Sequence, residues 1–255
     1  MSEVNAFDGT AVQLVPQQVE KLPLFHWHPG WRALCVGSRD GAAFDGELDA
    51  AEARSFRRPL SADLLQASAQ RLGVDVLAAT WAASLRYPQN MRLLAATSWP
   101  LVVVTAGAGD PALVEELLPR VAVWVLLQPG EASSAMARRI CAAGAYVEVV
   151  WGLAEAPAQL PDLAWERVAA CHLQPVRPTA AIGGELQAWE RAADLLLPAT
   201  LPRYDSQRRH TNCAGCDETL IWRSGGRSRL DPALEPATSC CRSCGRTAPL
   251  RLAVP

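Results

Sequence analysis

The chain has 255 residues, 50% of them hydrophobic and 20% charged, which allows one sizeable core plus a small appendage and excludes a disordered or purely linear protein. Its 24 basic and 26 acidic side chains leave a net charge of −2, too little for whole-chain attraction to nucleic acid or anionic lipid. The longest aliphatic-aromatic run, Val121 to Leu127, is seven residues against the roughly 20 that cross a bilayer, so no membrane partner is expected.

The N-terminus, Met1-Ser2-Glu3-Val4-Asn5, has no basic stretch followed by an apolar one, and a cytoplasmic location is expected. Residues 1–23 read as an extension. From about Leu24 to Ala199, short β-rich apolar runs alternate with helical patterns, the signature of βα units on a parallel sheet. Six strands are predicted: Ala33–Gly37, Asp75–Thr80, Leu101–Ala106, Val121–Leu127, Tyr146–Trp151 and Ala169–Leu173. Their hydrophobicity is continuous rather than alternating, which implies burial on both faces.

The intervening helices have legible signals. Ser61 caps one whose Leu64, Ser68 and Leu72 form an i, i+4 row, and Asp110-Pro111 starts another with Leu113, Val114, Leu117 and Leu118 on one face. Met136 and Ile140 lie on a third that Gly144 ends. The first strand-to-strand step is 42 residues, and the others are 20 to 26, so the insertion after Gly37 is the natural place to look for a site. It holds Arg39, Asp40, Asp45, Glu47 and Asp49 but neither Cys nor His, and its acidic residues match no complete calcium-loop pattern.

Histidines offer less. His26 and His28 flank Trp27, and on an extended segment would point the same way and could chelate a metal; with no third ligand close by, packing or hydrogen bonding is the expected role. His172, near the end of the sixth strand, is either a general base or a structural histidine, and no acid or nucleophile pairs with it in sequence. Trp81, Trp99, Trp124, Trp151, Trp165 and Trp189 read as core anchors. No Gly-rich phosphate loop, nucleophile elbow or HExxH motif is present.

Five of the eight cysteines lie within 32 residues near the C-terminus, where Cys213-Ala-Gly-Cys216 and Cys241-Arg-Ser-Cys244 form two C-x2-C knuckles 24 residues apart. This is the pattern of a four-thiolate zinc ribbon, because a d¹⁰ ion accepts a tetrahedron of sulfurs without redox chemistry. Cys240 competes with Cys241 for the third position, with Cys241 giving the more usual spacing, and His210 is a possible substitute ligand that reads as a surface residue. Residues 202–255 hold nine arginines and five acidic groups, but a zinc-tetrathiolate centre carries about −2. Nucleic acid is therefore not the expected partner, although Arg208, Arg209, Arg223, Arg227 and Arg229 with Trp222 leave an adaptor role as a third reading.

The stretch Lys21-Leu22-Pro23-Leu24-Phe25-His26-Trp27-His28-Pro29-Gly30, followed by Arg32 to Gly37, resembles the opening of radical SAM proteins of the AmmeMemoRadiSam group, relatives of glycyl-radical-enzyme activases. The similarity continues through Arg71-Leu72-Gly73-Val74, Val103-Val104-Thr105-Ala106-Gly107 and Cys171-His172-Leu173, and ends in the two cysteine knuckles, so it spans most of residues 14–250. It implies a partial (βα)6 TIM-type barrel at 24–201 and a zinc ribbon at 202–255. In that group a [4Fe-4S] cluster is held on a C-x3-C-x2-C loop after the first strand; here Gly41, Asp45 and Leu48 occupy those positions and offer no thiolate. The group's acidic residue after its second strand is replaced in Ala78-Ala79-Thr80-Trp81-Ala82-Ala83, and the Asp and Lys of its fourth strand by Val125, Leu126, Leu127 and Gln128.

The expected protein is thus a degenerate member of that group: a noncatalytic pseudoenzyme that binds Zn²⁺ through Cys213, Cys216, Cys241 and Cys244 and serves as scaffold or regulatory subunit for a protein partner. No [4Fe-4S] cluster, catalytic residue or cofactor-binding residue is expected, and S-adenosylmethionine binding is doubtful without its carboxylate. The rival is an enzyme that runs other chemistry at the barrel mouth with His172, Asp45, Glu47 or an arginine, with or without S-adenosylmethionine still bound.

Overall fold

A computed structural model describes residues 9–11, 13–22, 24, 26–37, 58–80, 84–106, 109–127, 131–152, 163–174, 203–205, 210–224, 227–248, 250 and 252. Within them the protein is a mixed α/β structure built on one mostly parallel sheet. The strands are β1 (Thr10–Ala11), β2 (Gln13–Gln18), β3 (Arg32–Gly37), β4 (Arg58–Pro59), β5 (Val76–Ala79), β6 (Leu101–Thr105), β7 (Val121–Leu127), β8 (Val147–Gly152), β9 (Ala170–Gln174) and β10 (Arg203–Asp205). The helices are α1 (Ala62–Leu72), α2 (Pro88–Ala95), α3 (Pro111–Leu117) and α4 (Glu131–Ala142).

Eight strands pair in the order β10-β9-β8-β7-β6-β5-β3-β2; all are parallel to their neighbours except β2, which runs antiparallel along β3. The six predicted strands are present to within a residue or so at each end, and the sheet gains β2 and β10 at its two edges. Neither added strand shows in the sequence as an apolar run. Gln13-Leu-Val-Pro-Gln-Gln18 contains a proline, which suits an edge strand, and Arg203-Tyr-Asp205 is only three residues long.

Both faces of the sheet are covered, which explains the unbroken apolar runs. Alternate residues divide between two clusters. Leu34, Val36, Leu77, Leu101, Val103, Trp124, Leu126, Val147 and Val149 meet Leu65, Ala69, Met91, Leu94, Leu113, Val114, Leu117 and Ile140 of the helices. Ala33, Cys35, Val76, Ala78, Val102, Val104, Val123, Val125, Leu127 and Val150 face the other way, where the N-terminal segment supplies Val19, Leu22, Leu24 and Trp27. The extension is therefore part of the core.

Local signals set the helix ends. Ser61 Oγ accepts from the Leu64 N–H at 3.1 Å, and Gly73 closes α1 in the left-handed conformation at φ 57°. Asp110 Oδ1 accepts from the Ala112 N–H at 2.9 Å with Pro111 next in line. Of the expected row on α1 only Leu72 packs against the helix-side core. Leu65 and Ala69 are its buried residues, and Leu64 is 40% exposed. The row beginning at Leu64 fits helical spacing equally well, and only the position of the sheet decides between the rows. Trp124 is fully buried; Trp99 and Trp165 pack at the edge of the helix-side core, with Trp99 Nε1 donating to Val74 O at 2.9 Å. Trp81 and Trp189 lie outside the described residues, as does the side chain of Trp151.

The C-terminal part has a separate small core. Strands β11 (His210–Asn212), β12 (Thr219–Ser224) and β13 (Arg227–Leu230) form an antiparallel sheet, and β14 (Leu234–Glu235) pairs with β15 (Cys240–Cys241). Leu220, Ile221, Leu234, Leu250 and Leu252 gather around Cys213 and Cys241.

The face assignment of α1 has a measurable consequence. Leu65→Ala should cost about 2–5 kcal/mol in chemical denaturation and Leu64→Ala no more than about 0.5 kcal/mol. Equal losses would reject it.

Candidate metal centre and a buried histidine-glutamate cluster

Two turns bring the paired cysteines together. In the first, the Cys213 N–H donates to Glu218 O at 2.7 Å and the Asp217 N–H to Cys213 O at 2.9 Å, while Asn212 Nδ2 donates to Asp217 Oδ1 at 3.0 Å. In the second, the Cys241 N–H donates to Arg246 O at 2.8 Å and the Gly245 N–H to Cys241 O at 2.7 Å. Gly245 has φ 73°, a left-handed conformation that favours glycine. Arg246 Nη1 donates to Ala214 O at 3.0 Å and ties one knuckle to the other. They approach so closely that a Cβ on Gly215 would lie 3.2 Å from Cys244 Sγ.

The ligand atoms of Cys213, Cys216, Cys241 and Cys244 lie within 4.8 Å of one another. Cys213 Sγ is 3.4 Å from Cys244 Sγ, and Cys216 Sγ is 3.6 Å from Cys241 Sγ. These separations are far longer than the roughly 2.05 Å of a disulfide, and all four thiols are free. Cys240 points elsewhere, toward Thr238 O at 3.6 Å and Thr247 Oγ1 at 3.3 Å. His210 stands apart too, with its ring 4.1 Å from that of Trp222.

Four thiols in one place cannot ionise equally. Burial opposes ionisation of Cys241, but the backbone N–H groups of Cys244 and Ser243 and the neighbouring sulfurs outweigh it and bring its pKa down to about 7. For Cys216 the backbone N–H of Glu218 favours the thiolate, yet burial and the other three cysteines prevail and push its pKa up to about 12. One anion is tolerated and accepts from its neighbours, whereas further anions repel. A divalent cation removes that obstacle.

A second cluster sits on the sheet face opposite the helices. Glu148, in the apolar run of β8, and His172, in β9, both have no exposed surface. Glu148 is registered with Ala170 and His172 with Val150, so the two side chains are diagonal neighbours on one face. His172 Nε2 lies 2.5 Å from Glu148 Oε2, and Tyr146 donates its O–H to Glu148 Oε1 at 3.1 Å. His26, 1% exposed, stacks on His172 with ring centroids 5.5 Å apart, and its Nε2 is 3.3 Å from Thr211 Oγ1 of β11. Glu148 is the acid that proximity in sequence did not supply for His172. Its signal was present all the same, since a carboxylate inside an apolar strand buried on both faces must have a partner.

His26 and His28 do not converge. His28 has φ 42°, and its ring stacks on Trp31 with centroids 3.9 Å apart. Asp45 and Glu47 of the long insertion, like Gly41 and Leu48, lie outside the described residues. So do Arg208 and Arg209 and the side chains of Arg223 and Arg227, while Trp222 donates its indole N–H to Asp231 Oδ2 at 2.5 Å.

Cobalt titration, read by thiolate-to-metal charge transfer, should lose its tight phase in Cys241→Ser and keep it in Cys240→Ser; the opposite result exchanges the two assignments. Binding should weaken as pH falls from about 7 to 5, because protons compete with the metal for thiolate sulfur. An affinity flat across that range would exclude thiolate ligation. Comparisons with family models, with curated proteins and with solved structures find no match, so what the chain does must be argued from these residues.

Proposed function

We propose that the chain is a noncatalytic, zinc-binding scaffold with the architecture of a partial radical SAM-like barrel, a cytoplasmic subunit that stabilises or regulates an enzyme or biosynthetic complex. The observation that carries this reading lies at the C-terminal strand ends, where βα enzymes place their chemistry. Among the described residues, strands β3, β5, β6, β7, β8 and β9 run out in Val36-Gly37, Ala79-Thr80, Val104-Thr105-Ala106, Leu126-Leu127, Trp151-Gly152 and Leu173-Gln174, none of them an acid, a base or a thiol, while β10 ends in Asp205. The face beneath them is filled by apolar side chains of the sheet and of Val19, Leu22, Leu24 and Trp27. A strand order that rises along the chain from β3 to β10 without reversal also suits a singly wound barrel.

Zinc is the ion that best fits the cysteine cluster. With Zn–S near 2.3 Å, a tetrahedral centre spaces its sulfurs about 3.8 Å apart. The 3.4 and 3.6 Å separations need only a small expansion to reach it. Four free thiols in contact also suit a reducing compartment.

One observation favours the enzyme reading, namely that Glu148 and His172 form a carboxylate-imidazole pair of the kind used in acid-base catalysis. Its complete burial, away from the strand ends, argues for a structural role.

Anaerobic reconstitution with iron and sulfide should leave the protein without the broad iron-sulfur absorption, and calorimetry should show no saturable binding of S-adenosylmethionine. A cluster with matching iron and sulfide, or saturable cofactor binding, would overturn the scaffold reading. Chelation of zinc should abolish amide-exchange protection across residues 211–224 and leave that of β6 and β7 in place. Retained protection in the C-terminal part would remove the structural role of the metal.

A further inference from the structure

We infer that His26, Glu148 and His172 form a second metal site, which takes a divalent first-row transition ion and fastens the N-terminal segment to the sheet. The three residues come from separate parts of the chain: the segment before β3, then β8, then β9. Their ligand atoms nevertheless lie within 4.8 Å of one another, and each residue is 0–1% exposed. A Glu148–His172 ion pair alone accounts for two of them. The second imidazole, brought face to face with the first, completes a donor set of two nitrogens and one carboxylate oxygen.

That set has a defined preference. Imidazole with carboxylate suits zinc and its divalent neighbours, whereas the four sulfurs of the C-terminal site are softer. The groups around the donors also match a metal site, where ligating side chains are held by a further layer of hydrogen bonds. Tyr146 Oη holds Glu148 Oε1 at 3.1 Å, and Thr211 Oγ1 stands 3.3 Å from His26 Nε2. Donors sharing one zinc ion lie about 3.3 Å apart, given bonds of 2.0–2.1 Å. The 2.5 Å contact between His172 and Glu148 then opens by less than about 1 Å, and donors that start up to 4.8 Å apart close by up to about 1.5 Å.

Position argues for a structural ion. Glu148 is the second residue of β8 and His172 the third of five in β9, so the donors lie within the sheet and not at the C-terminal strand ends where a βα fold places its chemistry. Because Thr211 belongs to β11, the same site also touches the C-terminal part through His26.

The test is a cobalt(II) titration of the full chain. The first equivalent should bring thiolate charge transfer from the cysteine site; a second should add visible d–d bands without further charge transfer. Glu148→Gln and His26→Gln, checked by circular dichroism, should each lose the second equivalent and keep the first. Tyr146→Phe should weaken it by about 10- to 100-fold. Saturation of the wild-type protein at one equivalent overturns the site, even if every variant misfolds. So does a second equivalent that survives in both Gln variants.

Discussion

A parallel sheet covered on both faces cannot offer water to any polar side chain placed within it, and that constraint governs much of the rest of the molecule. On the helix side it is met chiefly with apolar residues, from Leu34 on β3 to Val149 on β8, and the few buried polar groups bond to protein, as Ser84 Oγ does by donating to Val104 O at 3.0 Å. On the other side it is met by the N-terminal segment, whose Val19, Leu22, Leu24 and Trp27 close over the strands. Each fully buried aliphatic side chain contributes on the order of 1.5–3 kcal/mol, so the cover has to be maintained for the sheet to persist.

Within that dry layer Glu148 has to be satisfied by protein. Tyr146 and His172 occupy its two oxygens, His26 stacks behind His172, and Thr211 meets His26. The chain of contacts leads from the middle of the sheet, through the segment before β3, into the first strand of the C-terminal part. Among the described residues the two regions have separate apolar cores, and this polar line joins them. Polar contacts are directional and fix one relative placement where apolar surfaces would tolerate several.

The cysteine site follows different physics. Its small core of Leu220, Ile221, Leu234, Leu250 and Leu252 is too modest to order two tight turns alone, and the turns themselves crowd four sulfurs together. Backbone N–H groups lower the Cys241 thiol while the other cysteines raise Cys216. The arrangement is one that a cation completes, which is why the scaffold reading gives zinc a folding role. Its four sulfurs differ in kind from the two imidazoles and one carboxylate of the histidine-glutamate cluster. Donor chemistry therefore separates two sites in one chain.

Periodicity and spacing determined the strand positions, the capping of α1 and α3, and the identity of the four clustered cysteines, because each is set by residues close in sequence. Continuous apolar runs announced a two-sided sheet, and C-x2-C spacing placed thiol pairs on single turns. Tertiary structure alone decided the rest. The buried row of α1 falls at Leu65 rather than Leu64 because the neighbouring sheet, not the helix, selects the face. Edge strands β2 and β10 have weak patterns of their own and exist by pairing with β3 and β9. His26, Glu148 and His172 stand 122 and 24 residues apart along the chain, and only strand register together with the N-terminal cover brings them into contact.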